Sequence, residues 1–583
     1  MRKIWKAKEK DPSAQKRLSE TLSISPIVAQ LLINRNIETP EKAEDFLRPS
    51  LLNLHDALLM KDMARAAARI KKAIHKKERI MIYGDYDVDG ISATALLSLI
   101  FKGMGSDVKH YIPNRLEEGY GLNKKAIVKI HKSKIDLLIT VDCGITACDE
   151  VKELNRLGIE TIITDHHNPR QDLPEAYAII NPLQKGCDYP DKSLSGVGVA
   201  FKLASALLGR DNNSLYEHLD LVCLGTVADV VPLIGENRIL VKSGLDQLTH
   251  TKKKGLKALI EKAYLKSKDI TSHYVGFMLG PRINAMGRLG SPELSLQLLL
   301  TDNDDEAREL ARTLDRENRN RQKMEEAVLK QALAKVEREM DFKENLVIVL
   351  EDEEWHHGVI GIVASRLVDR FYRPTIMMST TGNETKGSAR SIKNFHLFEA
   401  LSECSNLLKT YGGHKYAAGL SMSRNRLLDF KKRINTLARE RILPTDLIPV
   451  VNIDVEMPLS SLSKKLLLEL DELSPFGLGN PKPVFSSCGL SIRSLPKLLR
   501  RDGIKMWVTD GKKTAEAIGF KMADALPSDP LGQKVDIAYA CNLNTYKGIT
   551  SIQLQLKDLR LSESGSPQAV AGLPTGRQVG TPS

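Results

Sequence analysis

What this 583-residue chain has little of narrows it first. Aromatic residues make up 5%, which argues against a surface built mainly of stacking rings. The 7 cysteines are scattered and none forms a C-x-x-C pair. An odd, dispersed set reads as reduced core thiols, neither a disulfide framework nor a zinc site. The start, MRKIWKAKEKD, is basic, but no apolar run follows it, so no signal peptide is expected. No window reaches the length and apolarity of a membrane span. The expectation is a soluble, cytoplasmic protein, acting as a monomer.

Length alone suggests three or four domains, and 42% hydrophobic residues suffice to bury substantial cores. The formal charge of +12 favours a polyanionic partner, weakly, because many housekeeping proteins are also basic.

Between Glu78 and Asp165 a rhythm repeats: a short apolar run, an acidic or glycine-containing turn, then a helix-like stretch. RIMIY (79–83), IDLLITV (135–141) and IETIIT (159–164) are the apolar runs. Apolar runs alternating with helices indicate a buried parallel sheet, in which ligand groups gather at the carboxyl ends of the strands. Here those ends carry GDYDVDG, DCG and DHH. From Glu293 to His357 there is neither glycine nor proline, and a charged, helix-favouring stretch predicts a long helical connector. A second α/β unit follows, marked by WHHGVIG, RPTIMMST, GSARSI and YGGHKYAAG. From about Val450 short strands alternate with turns to Leu561, as in a small β-barrel. The residues beyond, rich in Gly, Pro and Ser, are expected to be disordered.

Asp85, Asp87 and Asp89 crowd three carboxylates into a strand-to-helix turn. Their repulsion is unfavourable unless a cation neutralises it. D-x-D-x-D-G also opens a calcium EF-hand loop, but that loop needs a closing Glu where this chain has Leu96, and a preceding helix where RIMIY reads as a strand. Asp142 ends the second strand, and alone would pass for a helix cap. Asp165, His166 and His167 offer imidazole to a metal and an acid to orient the ring. Asp229 sits in the apolar GTVADVVPL, where an unpaired acid is costly. Carboxylates and imidazole without thiolates suit Mn²⁺ or Mg²⁺ better than structural zinc. The ligands suffice for two divalent cations roughly 3.5–4 Å apart, which would activate a water and stabilise charge on a phosphodiester.

On the substrate side, Arg115 lies in IPNRLEEGYGLN, Arg282 and Arg288 in PRINAMGRLG, Ser388 and Arg390 in KGSARS, and His414 in YGGHKYAAG. Singly, each arginine is more often an ion-pair residue than a ligand, although its planar fork suits phosphate. The basic stretch Arg65–Arg79 reads by default as a solvated helix face.

The set DYDVDG, VDCG, TDHH and GTVADVVPL resembles the four motifs of the DHH phosphoesterase superfamily. The further segments, with SPFGLGNPKPVF, are similar to the RecJ family within it, over nearly the whole chain and in family order. The resemblance implies a parallel-sheet DHH domain (49–290), a helical connector (291–343), a DHHA1 α/β domain (344–446) and an OB-fold-like β-barrel (447–561), between an N-terminal segment (1–48) and the tail (562–583) whose composition predicts disorder. It implies an exonuclease that degrades single-stranded DNA from the 5′ end, releasing mononucleotides, in recombination and repair. A helicase or single-strand-binding protein would be a secondary partner. It assigns Asp87, Asp89, Asp142, His166 and Asp229 to the metal pair, with Asp85 in the same motif and His167 beside the metals. Arg115, Ser388 and Arg390 would form a 5′-phosphate pocket, Arg288 would stabilise the transition state, and Arg282 and His414 would face the DNA. Tyr83 stands where many DHH enzymes carry a metal-binding His, which leaves one coordination position open. Small-substrate DHH phosphoesterases and metal-free DNA-binding scaffolds are the alternatives; the first generally lack the C-terminal segments and the second have eroded metal motifs.

Overall fold

The computed structural model describes residues 3–562 apart from 115–117, 120, 500, 501, 527, 528, 547 and 548. The expected disordered tail, past residue 562, and Arg115 therefore lie outside the described residues. A short strand, β1 (Ile4–Ala7), and three helices, α1 (Pro12–Leu22), α2 (Pro26–Ile33) and α3 (Pro40–Leu47), open the chain. Asp11, Ser25 and Thr39 cap these helices, each followed by a proline in the first turn, where its missing N–H costs nothing.

After α4 (Met63–His75) comes a five-stranded sheet: β2 (Ile80–Gly84), β3 (Lys109–Tyr111), β4 (Leu137–Val141), β5 (Glu160–Thr164) and β6 (Ala178–Ile180). All pairings are parallel, in the order β3-β2-β4-β5-β6. Strand alternation divides the apolar residues between two faces. Ile80, Ile82, Leu137, Ile139 and Val141 join the core under α5 (Val88–Gly103) and α8 (Gly196–Leu208). Met81, Tyr83, Leu138 and Ile163 join the core under α6 (Lys124–Lys132) and α7 (Cys148–Arg156). The chain leaves β2 on one side and returns on the other, which opens a crevice at the carboxyl ends of β2 and β4.

The glycine- and proline-free stretch forms helices Glu293–Leu300 and Asp304–Glu339. The 36-residue second helix buries Leu310 and Leu314 in the first domain's core, and Val328, Ala332 and Val336 in a core of the next domain. That domain holds β7 (Ile348–Asp352), β8 (Thr375–Thr381), β9 (Glu384–Arg390), β10 (Thr410–Gly413) and β11 (Ala417–Ser423). Their order is β10-β11-β9-β8-β7, with only β7–β8 parallel.

The last region holds β12 (Val450–Ile453), β13 (Val455–Glu456), β14 (Phe485–Ile492), β15 (Lys497–Leu499), β16 (Gly503–Thr509), β17 (Thr514–Gly519), β18 (Lys534–Tyr546) and β19 (Ile549–Leu561). Pairing β14-β18-β19-β17-β16 and back to β14 closes a five-stranded barrel, the closure expected of an OB-type fold. Two features go beyond the sequence reading. A helix, Lys464–Glu472, interrupts the strands. The N-terminal segment also belongs to the barrel's core: Leu18, Val28, Leu31 and Phe46 pack with Leu466, Leu470 and Phe485, and β1 pairs with β12. Among the described residues no helix is long and apolar enough to cross a membrane.

Candidate functional site

The crevice at the strand ends collects the acids. Asp87 caps α5, its Oδ1 accepting from the Asp89 and Gly90 N–H groups at 2.9 and 3.1 Å. Two residues on, within the first turn of α5, Asp89 points inward, where its carboxylate accepts from Gly196 N at 2.6 Å and Val197 N at 2.9 Å. These are the first N–H groups of α8, whose positive end favours an anion. Asp142 follows β4 in a left-handed backbone conformation, φ +61°, sparsely populated by residues other than glycine and characteristic of strained functional turns. His166 follows β5, and Asp229 follows the helix Leu219–Ala228. His166 Nε2 lies 3.1 Å from Asp142 Oδ1, 3.6 Å from Asp229 Oδ2 and 4.0 Å from Asp89 Oδ2.

Two glycines permit this closeness. A Cβ on Gly196 would stand 2.5 Å from Asp142 Oδ1, and one on Gly225 would stand 2.7 Å from Asp89 Oδ1. Three sets bring ligand atoms within 4.8 Å of one another: Asp85 with Asp87 and Asp142; Asp89 with His166 and Asp229; Asp142 with His166 and His167. Asp142 and His166 each belong to two sets, so the sets adjoin.

The electrostatics are those of a site awaiting positive charge. Burial, then repulsion from Asp87, pushes Asp89 up to about 7 despite its two backbone bonds. Burial, then Asp89 and Asp87, pushes Asp229 up to about 9. Asp142 is raised well above the usual carboxylate range by burial and by Asp89, Asp87 and Asp229. Burial and the neighbouring His167 lower His166 to about 4, so its ring is neutral and its nitrogen can act as a ligand. Asp142 Oδ1 and His166 Nε2 are buried without a hydrogen-bond partner among the described residues, a cost of about 1–3 kcal/mol per group. Hard oxygen donors with one neutral imidazole fit Mn²⁺ or Mg²⁺.

Asp165 does not orient the ring of His166. It accepts from His167 Nδ1 at 2.7 Å and from the backbone N–H groups of Ile145, His166 and His167. Burial alone would raise Asp165, but these bonds and the His167 charge hold it below its ordinary value. His167 in turn is raised to about 9: burial is the largest single influence and opposes its charge, but the Asp165 bond together with the charges of Asp165, Asp229 and Asp85 outweighs it. The ring of His166 is instead bonded by the backbone of Leu194. Tyr83 turns to the opposite face of the sheet. Its hydroxyl donates to Gly121 O at 2.8 Å and its ring stacks on Tyr111.

On the substrate side, Ser388 and Arg390 lie two residues apart on β9, so they share a face. The Arg390 guanidinium donates to Ser388 Oγ at 3.2 Å and to Ala389 O at 2.8 Å. Helix His357–Phe371 presses close: a Cβ on Gly361 would stand 2.7 Å from Ser388 Oγ. Arg288, on helix Gly280–Leu289, donates to Gly358 O at the start of that helix, so it bridges to the Ser388 and Arg390 side. His414 is exposed in the β10–β11 hairpin, with β11 between it and Arg390 of β9, which pairs with Ala417. Arg282 turns to the connector, with Nε 3.0 Å from Asp315 Oδ1 and a terminal nitrogen donating to Met278 O. A contact with substrate would fall to its remaining nitrogen. The sequence reading passed over Gly196, Val197, Gly225 and Asn284, whose Oδ1 accepts from Val88 N. The capping pattern S-G-V-G at Ser195 was the available signal.

Comparison with known proteins identifies the parts. "DHH family, N-terminal domain" matches residues 79–226, "DHHA1 domain" residues 344–440 and "RecJ OB domain" residues 453–558. The fold and acid cluster thus define a DHH-type domain joined to DHHA1 and OB domains. The single-stranded-DNA-specific exonuclease RecJ of Bacillus subtilis is 39% identical over 96% of this chain and 71% of its own length. The RecJ of Escherichia coli K12 is 34% identical over 92% of this chain and 96% of its own. The crystal structure of RecJ in complex with Mn²⁺ from Thermus thermophilus superposes with a TM-score of 0.83 at 33% identity, covering 98% of this chain and 80% of that one. The chain belongs to the RecJ family.

Proposed function

We propose that this protein is an exonuclease that hydrolyses single-stranded DNA from the 5′ end with two divalent cations, Mn²⁺ or Mg²⁺, and releases 5′-mononucleotides. The observation that carries this reading is the buried pair Asp142 Oδ1 and His166 Nε2, facing each other without a hydrogen bond amid Asp89 and Asp229. Asp85, Asp87 and Asp142 would hold one cation and Asp89, His166 and Asp229 the other. Bound there, such cations supply Lewis acidity and a water acidified for attack on phosphorus. The α8 N–H groups keep Asp89 aimed inward, and the Asp165 bond would keep the His167 ring fixed beside the scissile phosphate. Arg288 would steady charge developing on the phosphate oxygens.

Arg390 and Ser388 would hold a terminal 5′-phosphate across from the acids, with Arg115 as a further donor; Arg282 and His414 would contact the strand. A pocket that accepts a phosphate end at a fixed distance from the acids admits a strand terminus and not its middle, which accounts for polarity. The cellular role would be resection in recombination and repair, on strands opened by a helicase or coated by single-strand-binding protein.

The test is digestion of single-stranded DNA labelled separately at each end, with Mn²⁺ and with EDTA, beside Asp89→Ala. Mononucleotide release from the 5′ end, abolished by EDTA and by the substitution, is expected. Tight binding without cleavage would replace this reading with that of a scaffold.

A further inference from the structure

Away from the acids, a cleft of about 1050 Å³ opens where three parts of the chain meet. Its walls come from the N-terminal segment, the DHHA1 domain and the barrel, and they include none of the acid cluster, Ser388 or Arg390. Lys3, Lys8, Arg35, Lys393, Lys482 and Lys557 all line it. A run of lysines on one helix is ordinarily a solvated face; cations brought together in a concavity from segments more than 500 residues apart are not.

Two carboxylates, Asp446 and Asp454, stand in the walls against seven lysines and arginines, so they offset only part of this charge. Asp446 accepts from Asn394 Nδ2 at 2.5 Å and from Leu443 N at 3.0 Å. Asp454 accepts from Val484 N at 2.9 Å and Asn34 Nδ2 at 3.4 Å. The cations meanwhile are held by neutral acceptors. Arg35 donates to Asn480 Oδ1 and to the carbonyls of Leu31 and Pro481. Lys482 donates to Asn542 Oδ1, and Lys3 to the Lys557 carbonyl at 2.6 Å, with Asp558 3.9 Å away. Hydrogen bonds are satisfied while positive potential is left in the cleft. Burial disfavours the charged forms of Arg35, Lys482 and Lys557, the last also feeling Lys3.

We propose that this cleft is a binding site for the phosphate groups of nucleotides, separate from the acid cluster. Its size and the spread of its cations exceed what a single small anion would use, and suit several phosphates or a nucleotide with its base. The phosphates could be those of a DNA strand or of a free mononucleotide. The site rests on charge and shape, independently of the exonuclease reading.

The experiment compares the full chain with Lys8→Glu/Lys393→Glu, both exposed positions, in EDTA so that binding is read without cleavage. Probes are fluorescent dT4 and dT20, with dTMP and inorganic phosphate tested by thermal shift. Weakening of dT20 by about tenfold, with a log–log salt slope shallower by about 1.4 for two lost phosphate contacts and dT4 unchanged, would establish the strand as ligand. Loss of the dTMP or phosphate thermal shift with dT20 unchanged would establish the free nucleotide. If neither probe responds, the proposal is overturned. The neutral pair Lys8→Gln/Lys393→Gln gives the same reading should the reversed pair misfold, and dT4 cleavage with Mg²⁺ reports separately on the exonuclease reading.

Discussion

The acids at the ends of β2, β4 and β5 stand on one sheet whose strands pair residue by residue, whereas Arg288, Ser388 and Arg390 come from two domains joined by a single long helix. In the first case register dictates the geometry. Pairing Gly84 with Val141, and Val141 with Thr164, places Asp85, Asp142 and Asp165 side by side at one edge. In the second case the geometry depends on how one rigid domain is held against another. The acid cluster is therefore preorganised and electrostatically strained, and Arg288, Ser388 and Arg390 are better satisfied by their own neighbours.

The sharpest break of this comparison is Asp142→Asn. The amide keeps the shape but removes the charge shared by two ligand sets. Cleavage should fall by about 10³-fold or more, roughly 4 kcal/mol of lost transition-state stabilisation. The metal-free melting temperature should rise, because one repelling carboxylate is gone from the cluster. Activity and calorimetric melting in EDTA measure both. A fall in metal-free stability would mean that the cluster is not strained.

Arg390→Ala tests the other region and should have a smaller, selective effect. A charge-assisted bond to phosphate is worth about 1.5–3 kcal/mol, so the preference for 5′-phosphorylated over 5′-hydroxyl ends should shrink roughly 10- to 100-fold. Mg²⁺ affinity, read by calorimetry, should not move. Equal losses on both kinds of end would remove Arg390 from end recognition.

The same contrast explains what could be read from the residues alone. Three apolar runs each ending in acids or histidines betray a parallel sheet and its carboxyl edge, since strand and ligand lie together in the sequence. Asp229 was legible because an acid among valines calls for a partner. Three things were not. The packing of residues 1–48 on the barrel joins segments more than 400 residues apart, and an amphipathic helix does not name its partner. The commitment of Arg282 to Asp315 likewise turns on where the connector helix lies. The choice between Asp165 orienting His166 or His167 was a matter of ring direction, which adjacent residues leave open.

Protons compete with cations at the acids, and the sign follows from the shifts. Asp229, raised from 3.8 to about 9, holds a proton in the folded metal-free protein that the unfolded chain releases at much lower pH. Its contribution to metal-free stability is therefore greatest below the unfolded value and falls as pH rises towards 9, with a limiting slope of about 1.4 kcal/mol per pH unit. Asp89 adds to the fall up to about 7. Cation binding displaces these protons, so the gap in melting temperature between Mg²⁺ and EDTA samples should widen from pH 6 to pH 9. A gap that narrows over that range would contradict the shifts.

The smallest effect separates the two faces of β2. Tyr83 stands at the position that the DHH resemblance associates with a metal-binding His, yet its hydroxyl satisfies Gly121 O among the residues under α6 and α7. Tyr83→Phe leaves that carbonyl without this donor, and should lower stability by about 1 kcal/mol while Mg²⁺ affinity and cleavage stay unchanged. Tyr83→His would bury a polar ring in an apolar core away from the acids, so it should destabilise further without tightening the cation. If the histidine instead raised Mg²⁺ affinity, β2 would have to turn its alternate face towards the acids. That turn would move Ile82 out of the core beneath α5 and α8, and the register that places the acid cluster would be lost with it.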